Sequence, residues 1–276
     1  MIARTMARRL MSRLWFGTIR RAWQGALLWP VIALGPSFAA EGMRPNDIGH
    51  RPPPPVWPAE VLQADFITPT TRYGHGVLGD AVEWSGLRIS FAAPGQPPWA
   101  IEIELPADHV FEDLQPRLVD LNLDGRPDAA MVVETDMALG AALALYGVQG
   151  KIAETPHIGR ANRWLAPVAA GDLDGDGRVE LAYVDRPHLA KTLRIWRFEA
   201  GTLTPVAAQA GLTNHRIGDD FITSGLRTCA DGPELILVDA GWNRLVAARL
   251  EAGKISRRDI GPFGAQSSLE AALACQ

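Results

Sequence analysis

A short apolar run that opens with an acidic residue occurs three times in this chain, beginning at Asp128, Glu180 and Glu234, with spacings of 52 and 54 residues. Each run has one apolar segment before it and two after it. These segments are residues 117–121, 141–148 and 151–156, then 165–170, 192–198 and 202–207, then 221–226, 244–250 and 254–260. Residues 192–198 alternate apolar and polar side chains, as a strand with one solvated face does. Four short strands per repeat of about 50 residues are typical of a propeller blade.

A less regular unit precedes these repeats. It spans residues 75–106 and contains strand patterns at 86–91 and 100–105, while residues 59–67 are predicted to add an outer strand that closes the ring. The 27 glycines and 21 prolines suit many short elements joined by tight turns. We therefore predict an all-β fold, a small β-propeller of four to five four-stranded antiparallel blades over residues 59–262, with a C-terminal tail at 263–276. A β-sandwich is the alternative, and the repeated four-strand order disfavours it.

Two loops of the repeat carry oxygen-bearing side chains at positions 1, 3, 5 and 9. These side chains are Asp120, Asn122, Asp124 and Asp128 in one loop, and Asp172, Asp174, Asp176 and Glu180 in the other. Position 6 is glycine in both, which permits a sharp turn, and the backbone carbonyls of Arg126 and Arg178 at position 7 are further candidate ligands. Calcium takes six to eight oxygen ligands in flexible geometry. We therefore predict that each loop binds Ca²⁺.

The spacing of these loops allows two other interpretations. An EF-hand needs glutamate at position 12, where this chain has Met131 and Tyr183, so that interpretation fails. An Asp-Gly turn that binds nothing is common, but two copies in the same repeat register favour calcium. In the next repeat Leu226, Thr228 and Ala230 replace the first three ligands. Calcium is thus predicted to stabilise blades rather than to catalyse.

The two acidic loops, each followed by an apolar strand, resemble the FG-GAP/VCBS-type repeat. The loop resemblance covers residues 120–128 and 172–180, and the repeat pattern extends over roughly 70–260. That repeat builds the propeller of integrin α-subunits and of many bacterial exported proteins. The resemblance implies calcium held by the loop acids, and binding or adhesion more often than catalysis. The chain departs from the family in lacking clear Phe-Gly and Gly-Ala-Pro signatures.

The N-terminal segment has the pattern of an export signal. Six arginines precede the first acid, Glu41, and an apolar run at 22–34 is followed by the small residues Ser37 and Ala39. We predict a signal peptide at residues 1–39, a Pro-rich linker at 40–58, and a periplasmic or secreted location. An uncleaved anchor is the alternative, although the run is shorter than the roughly 20 residues that span a bilayer; after cleavage no membrane span is expected.

Cleavage would also change the charge of the protein. Loss of the six arginines takes the net charge from −4 to −10, which argues against nucleic acid as a partner. The two cysteines, Cys229 and Cys275, are predicted to form a disulfide, because an exported chain with two cysteines most simply pairs them. Neither cysteine has a neighbour at metal-ligand spacing.

A second group of side chains precedes the predicted inner strands. The candidate ligand-binding residues are Arg72, Tyr73, His75, Arg163, His215 and Arg216. If the blades are equivalent, these side chains meet at one end of the central channel and suit an anionic or sugar-like ligand. The alternative is that loop ends are polar in any protein.

No common catalytic motif is present in the sequence, whether nucleophile elbow, P-loop, His-Glu-x-x-His or dinucleotide fingerprint. We predict a non-catalytic binding module with an unidentified protein or glycan partner. One alternative is a hydrolase or lyase acting on a polysaccharide or small anion at the channel, through Arg72, His75 and His215. A purely structural envelope protein is a third possibility.

Overall fold

The computed structural model describes residues 59–275, which form four successive groups of strands and one helix. The first group is β1 (Glu60–Thr70), β2 (Glu83–Ala92) and β3 (Trp99–Glu104). The second is β4 (His109–Phe111), β5 (Arg117–Val119), β6 (Ala129–Asp136), β7 (Gly140–Gly147) and β8 (Gly150–Glu154). The third is β9 (Leu165–Gly171), β10 (Val179–Asp185), β11 (Thr192–Glu199) and β12 (Thr202–Ala210). The fourth is β13 (Leu212–Thr213), β14 (Gly225–Cys229), β15 (Gly232–Asp239), β16 (Arg244–Glu251) and β17 (Lys254–Pro262), and helix α1 (Gln266–Leu273) follows.

All of the strand pairings in this part of the chain are antiparallel, and neighbouring strands mostly follow chain order. The third sheet runs β12-β11-β10-β9, and the fourth runs β13-β15-β16-β17 with β14 also on β15. In the second group β4 and β5 both pair with β6, which continues to β7 and β8. The first group has three strands, with β2 between β1 and β3, and a single pair, Trp84 with Phe111, joins it to the second. The predicted all-β, antiparallel class is confirmed, and the first group has one strand fewer than expected.

The outer hairpins show why the repeat folds in the same way each time. Ala200-Gly201 joins β11 to β12, and Ala252-Gly253 joins β16 to β17. All four residues have positive φ, between +48° and +78°. Two consecutive residues with positive φ match the right-handed twist of the flanking strands, so this turn closes tight hairpins.

The core lies in layers between successive sheets. Met131, Leu143 and Leu181 are fully buried between the second and third sheets, and Leu193 and Leu237 between the third and fourth. A third layer, containing Phe91 and Phe111, lies between the first and second groups. Strand β10 is buried along its whole length, because each of its faces is covered by a neighbouring sheet.

The predicted C-terminal tail contributes to this packing. Leu269 and Ala272 of α1 cover Ile236 and Val238, on the face of the fourth sheet that points away from the third. The predicted disulfide between Cys229 and Cys275 is present and ties the end of this helix to β14, with 6.1 Å between the Cα atoms. The helix therefore acts as a lid on an otherwise open sheet face.

The structure differs from the sequence-based expectations at β1 and before β14. β1 does not close a ring by joining the last sheet; it pairs with β2 from Glu60 to Thr70, because the loop 71–82 lets the chain fold back as a hairpin. Residues 221–224 precede β14 instead of forming its first half. The predicted signal peptide and linker lie outside the described residues.

The first and fourth groups meet through loops. The Gly218 amide donates to the Val77 carbonyl at 3.1 Å, and a Cβ atom added to Gly79 would lie 2.8 Å from the Gly218 oxygen. Only a residue without a side chain allows this approach. Within residues 59–275, no helix has the length and apolar character needed to cross a bilayer.

Candidate calcium loops and cleft

The two predicted calcium loops occupy the same place in consecutive sheets. The first acidic loop, residues 120–128, connects β5 to β6, and the second acidic loop, residues 172–180, connects β9 to β10. Gly125 and Gly177 at loop position 6 have φ of +90° and +81°, in the left-handed region that favours glycine. The sharp turn predicted from the sequence is therefore present in both loops.

The first aspartate of each loop organises the turn. Asp120 accepts hydrogen bonds from the amides of Asp124 and Gly125, at 3.2 and 2.7 Å. Asp172 accepts from the corresponding amides of Asp176 and Gly177, at 3.1 and 3.0 Å. The same contacts at the same loop positions show that the two segments are structural equivalents.

The second acidic loop gathers oxygen ligands closely enough to hold a cation. Asp172, Asp174 and Asp176 each offer one carboxylate oxygen, and these three oxygens lie within 4.8 Å of one another. The Asp174 Oδ1 atom is buried and has no hydrogen-bond partner. A buried carboxylate oxygen without a partner is costly, and a hard cation coordinated by oxygen would satisfy it. The residues present therefore fit calcium.

The first acidic loop has one carboxylate fewer than the second. Its third position is the amide Asn122, whose Oδ1 accepts from the Asp124 amide at 2.9 Å. Asn122, Asp124, Arg126 and Asp128 line a cavity of about 300 Å³ together with residues of the first strand group. The loop thus opens onto a space that a hydrated ion can enter.

The acids at position 9, whose role as calcium ligands stays a prediction, also make hydrogen bonds within the loop. The two carboxylate oxygens of Asp128 accept from the amides of Leu121 and Asn122 and from the Asn122 side chain, at 3.0–3.1 Å. Glu180, fully buried, accepts from the Leu173 amide at 3.0 Å. Burial raises the pKa of both carboxyls above the ordinary value, partly offset by these hydrogen bonds. In this structure they fasten the start of each loop to the following strand.

Position 7 is arginine in both loops, and its amide donates to the carboxylate at position 5. The Arg178 guanidinium also holds Asp176 Oδ2 at 2.6 Å, and this hydrogen bond lowers the pKa of the exposed Asp176 carboxyl. The predicted role of the Arg126 and Arg178 carbonyls as ligands stays a prediction.

Arg197 on β11 is a site residue that the sequence reasoning missed. It lies opposite Glu180 in the β10–β11 register. Its guanidinium contacts Glu180 Oε1 at 2.5 Å, Asp174 Oδ2 at 2.8 Å and Asp176 Oδ2 at 3.0 Å. The register of the hairpin, with strands at 179–185 and 192–199, was the signal that would have found it.

The corresponding acid of the fourth sheet has no acidic loop beside it and is surrounded by arginines. Glu234 is buried and accepts hydrogen bonds from Arg227, Arg249 and Arg258, at 2.6–3.3 Å. Burial alone would raise its pKa, but the three guanidinium groups outweigh burial and lower the pKa to about 2.

A cleft of about 220 Å³ lies among the loops at the other ends of the strands. Its lining residues are His75, Asn162, Arg163, Trp164, Arg186, His188, Leu189 and Ile217. Leu189 and Ile217 are 65 % and 71 % exposed, high values for large apolar side chains. The described lining offers two guanidinium groups and no carboxylate. We call this side of the molecule the cleft face.

Buried polar groups hold the histidines of the cleft in place. The Nδ1 atom of His75 lies 2.5 Å from a carboxylate oxygen of Glu112, which is fully buried. His215 Nε2 lies 2.9 Å from the backbone carbonyl of Asp219, so it carries the proton, and His215 Nδ1 accepts from His188 Nε2 at 3.0 Å. His188 Nδ1 is then left as an acceptor.

Burial also governs protonation in this region. Burial, reinforced by electrostatic interaction with His215, His75 and Lys191, lowers the pKa of His188 to about 4. Burial lowers the pKa of His215 as well. Glu83, behind the cleft, has a pKa raised to about 9 by burial and then by the charges of neighbouring acids, so it is neutral at pH 7.

The structure brings together four of the six predicted ligand-binding residues. His75 and Arg163 line the cleft, Tyr73 lies edge-on to His75, and His215 contacts Trp164 with 4.9 Å between ring centroids. The other two point elsewhere. Arg72 donates to the backbone carbonyls of Pro106 and His109, and Arg216 stacks over Trp242 at 4.1 Å. His188, which the sequence gives no reason to separate from other loop residues, also lines the cleft.

The acidic loops and the cleft lie at opposite ends of the strands. β10 begins next to the second acidic loop, and the connection that follows it contains Arg186, His188 and Leu189. Seven strand residues span about 23 Å. The second acidic loop and the cleft are therefore separated by the length of the strand.

A comparison with protein families identifies the repeat. The family model of the FG-GAP-like repeat matches residues 120–183, a segment that runs from the first acidic loop through the second and into β10. The chain thus carries an FG-GAP-type repeat, and the resemblance inferred from the acidic loops is confirmed. No match was found among curated proteins.

Proposed function

We propose that this chain is an exported, calcium-stabilised β-propeller that acts as a non-catalytic interaction module. The observation that carries the proposal is the family match over 120–183 together with the shared hydrogen-bond pattern of Asp120 and Asp172. The four strand groups supply the blades. The disulfide between Cys229 and Cys275 suits an oxidising compartment, periplasmic or extracellular.

The cleft face is the surface proposed to engage a partner, a protein or a glycan. Its loops connect rigid strands, and loops held by such a scaffold commonly carry binding residues. Leu189 and Ile217 supply exposed apolar contact beside the Trp164 ring, and Arg163 supplies a charged donor. The acidic loops at the opposite strand ends keep the scaffold in shape.

Calcium titration with thermal melting tests the metal part of this proposal. Calcium at a hundredfold excess over Kd stabilises by about 2.7 kcal/mol for each loop occupied, so a chelator should lower the melting temperature. Asp120→Ala and Asp172→Ala should each remove part of that difference, and Asp65→Ala, on the exposed face of β1, should leave it unchanged. A melting temperature indifferent to chelator in all four proteins would refute a calcium role.

Co-purification from the exported fraction tests the surface. Leu189→Asp and Ile217→Asp should release a partner that the parent protein retains, because each places a charge on the apolar rim. Leu62→Asp is the control, because Leu62 is also an exposed large apolar side chain, 49 % exposed, but lies on β1. Retention of the partner by both rim variants would rule out the cleft face.

A hydrolase or lyase is the second candidate, and one observation favours it. His75 is oriented by buried Glu112 at 2.5 Å and borders the cleft, an arrangement suited to a general base. The predicted partner Arg72 is held by backbone carbonyls and does not line the cleft. Turnover of a polysaccharide panel that disappears in His75→Ala, with melting unchanged, would favour the enzyme over the binding module.

A further inference from the structure

The two acidic loops differ in a coordinated way at two positions. The first has the neutral amide Asn122 at loop position 3, and the second has the carboxylate Asp174. The neighbouring strand differs as well. Arg197 lies opposite the position-9 acid of the second loop, whereas the register of β6 and β7 places Val148 at the equivalent point of the first.

Arg197 contacts the carboxylate that the first loop lacks. Its Nη2 atom lies 2.8 Å from Asp174 Oδ2 and 3.0 Å from Asp176 Oδ2, and its side chain is 14 % exposed. The first loop holds three carboxylates and the second holds four. Leaving out the position-7 arginine, which both loops have, and counting Arg197 with the second loop, each loop has a net charge of −3.

The fourth sheet extends this comparison. Its β14–β15 turn is only two residues long and carries no acidic loop, yet Glu234 survives at the position of Glu180. Arg249, which corresponds to Arg197, holds Glu234 together with Arg227 and Arg258. In the fourth sheet, arginine side chains of the protein itself therefore neutralise the buried acid.

We propose that Arg197 is a built-in counter-cation of the second acidic loop. It keeps the loop folded without metal and lowers the loop's affinity for calcium, while Asp174 Oδ1 stays available to an ion as Oδ2 remains with the guanidinium. The first acidic loop has no such cation and depends on calcium for its order. This inference rests on the proposed calcium function.

Calcium affinity of the second loop, measured by calorimetry in an Asp120→Ala background that disables the first loop, tests the inference. Arg197→Met keeps an unbranched apolar stem but removes the guanidinium group and its charge. It should tighten calcium binding about tenfold, because removing a positive charge 2.5–3.0 Å from the carboxylates favours a divalent ion. Arg197→Lys retains the charge and should bind within about twofold of the Asp120→Ala parent. Asp174→Asn combined with Arg197→Met restores three net negative charges and should return the affinity toward that parent.

Hydrogen exchange in chelator provides a second readout that does not need metal. Residues 172–180 should exchange more slowly than residues 120–128 in the parent protein, and Arg197→Met should remove that difference. Unchanged calcium affinity in Arg197→Met would overturn the inference. If the Asp120→Ala protein and its Arg197→Met derivative both bind no calcium, the metal proposal fails for the second acidic loop. Hydrogen exchange then tests the role of Arg197 by itself, and equal exchange of residues 172–180 with and without Arg197 would refute a counter-cation.

Discussion

Neutralising Glu234 tests how much a protein-supplied cation cluster stabilises the fourth sheet. Glu234→Gln keeps the shape of the side chain and removes the charge that Arg227, Arg249 and Arg258 share. The carboxyl is buried, so the loss is not screened by solvent. We expect a marked loss of stability at pH 7.

The magnitude follows from the pKa. The pKa of Glu234 is lowered from an ordinary 4.5 to about 2. Each pH unit between folded and unfolded pKa values is worth about 1.4 kcal/mol, which gives about 3 kcal/mol of stability. Because the pKa is lower in the folded chain, this stability is fully present above about pH 4.5 and is lost as the pH falls toward 2.

Urea denaturation between pH 2 and 7 measures both quantities. The parent protein should lose stability over this window more steeply than Glu234→Gln, and the two curves should converge near pH 2. Asp259→Asn, which removes the exposed partner of Arg244 on the same sheet, is the control and should scarcely change the curve. If Glu234→Gln matched the parent at pH 7 with the same pH dependence, the electrostatic reasoning would be wrong.

Three further outcomes are expected. Replacing Cys229 and Cys275 by serine should cost up to about 4 kcal/mol, since the bridge closes a loop of 46 residues, and melting of the double variant without reductant would measure it. Gly140→Ala should cost at least about 2 kcal/mol of stability, because at φ +82° its Cβ would lie 2.3 Å from the Arg160 oxygen. Gly150→Ala is the control and should cost only about 1 kcal/mol, because Gly150 has a similar φ of +92° but open space around it. A comparable loss in both variants would contradict the packing argument. The pKa of His188 is about 4 in the folded chain and about 6.5 in the unfolded chain, so the free energy of unfolding should decrease as the pH drops below 6.5. Urea titrations of His188→Gln should show a smaller decrease over the same pH range.

The hairpins were predictable from the sequence because their signals are local. Residues 192–198 alternate cleanly and are followed by a turn ending in Gly201, and β11 begins and ends within one residue of that pattern. The start of β14 was wrong because Phe221 and Ile222 continue the apolar pattern without joining a sheet, and Phe221 is 43 % exposed. Periodicity alone does not distinguish apolar residues in a loop from apolar residues in a strand.

The acidic loops were predictable for the same reason, since spacing within nine residues sets their shape. Arg197 was not, because it arrives from the next strand, and only the pairing register brings it to Asp174. Long side chains defeat sequence reasoning in another way. Arg72 and Arg216 lie in the expected loops, but their long side chains extend away from the cleft. Arg72 donates to a backbone carbonyl, and Arg216 stacks on Trp242.

The meeting of the first and fourth groups at Val77, Gly79 and Gly218 has a mechanical consequence. Neighbouring strands such as β10 and β11 are joined by a ladder of backbone hydrogen bonds, whereas this junction relies on the bond from Gly218 to Val77 and on close backbone contact. Under a stretching force applied to both ends of residues 59–275, the junction yields first and the sheets then detach in order. Separation of the two ends of the molecule is thereby confined to one predetermined point while the individual sheets stay intact.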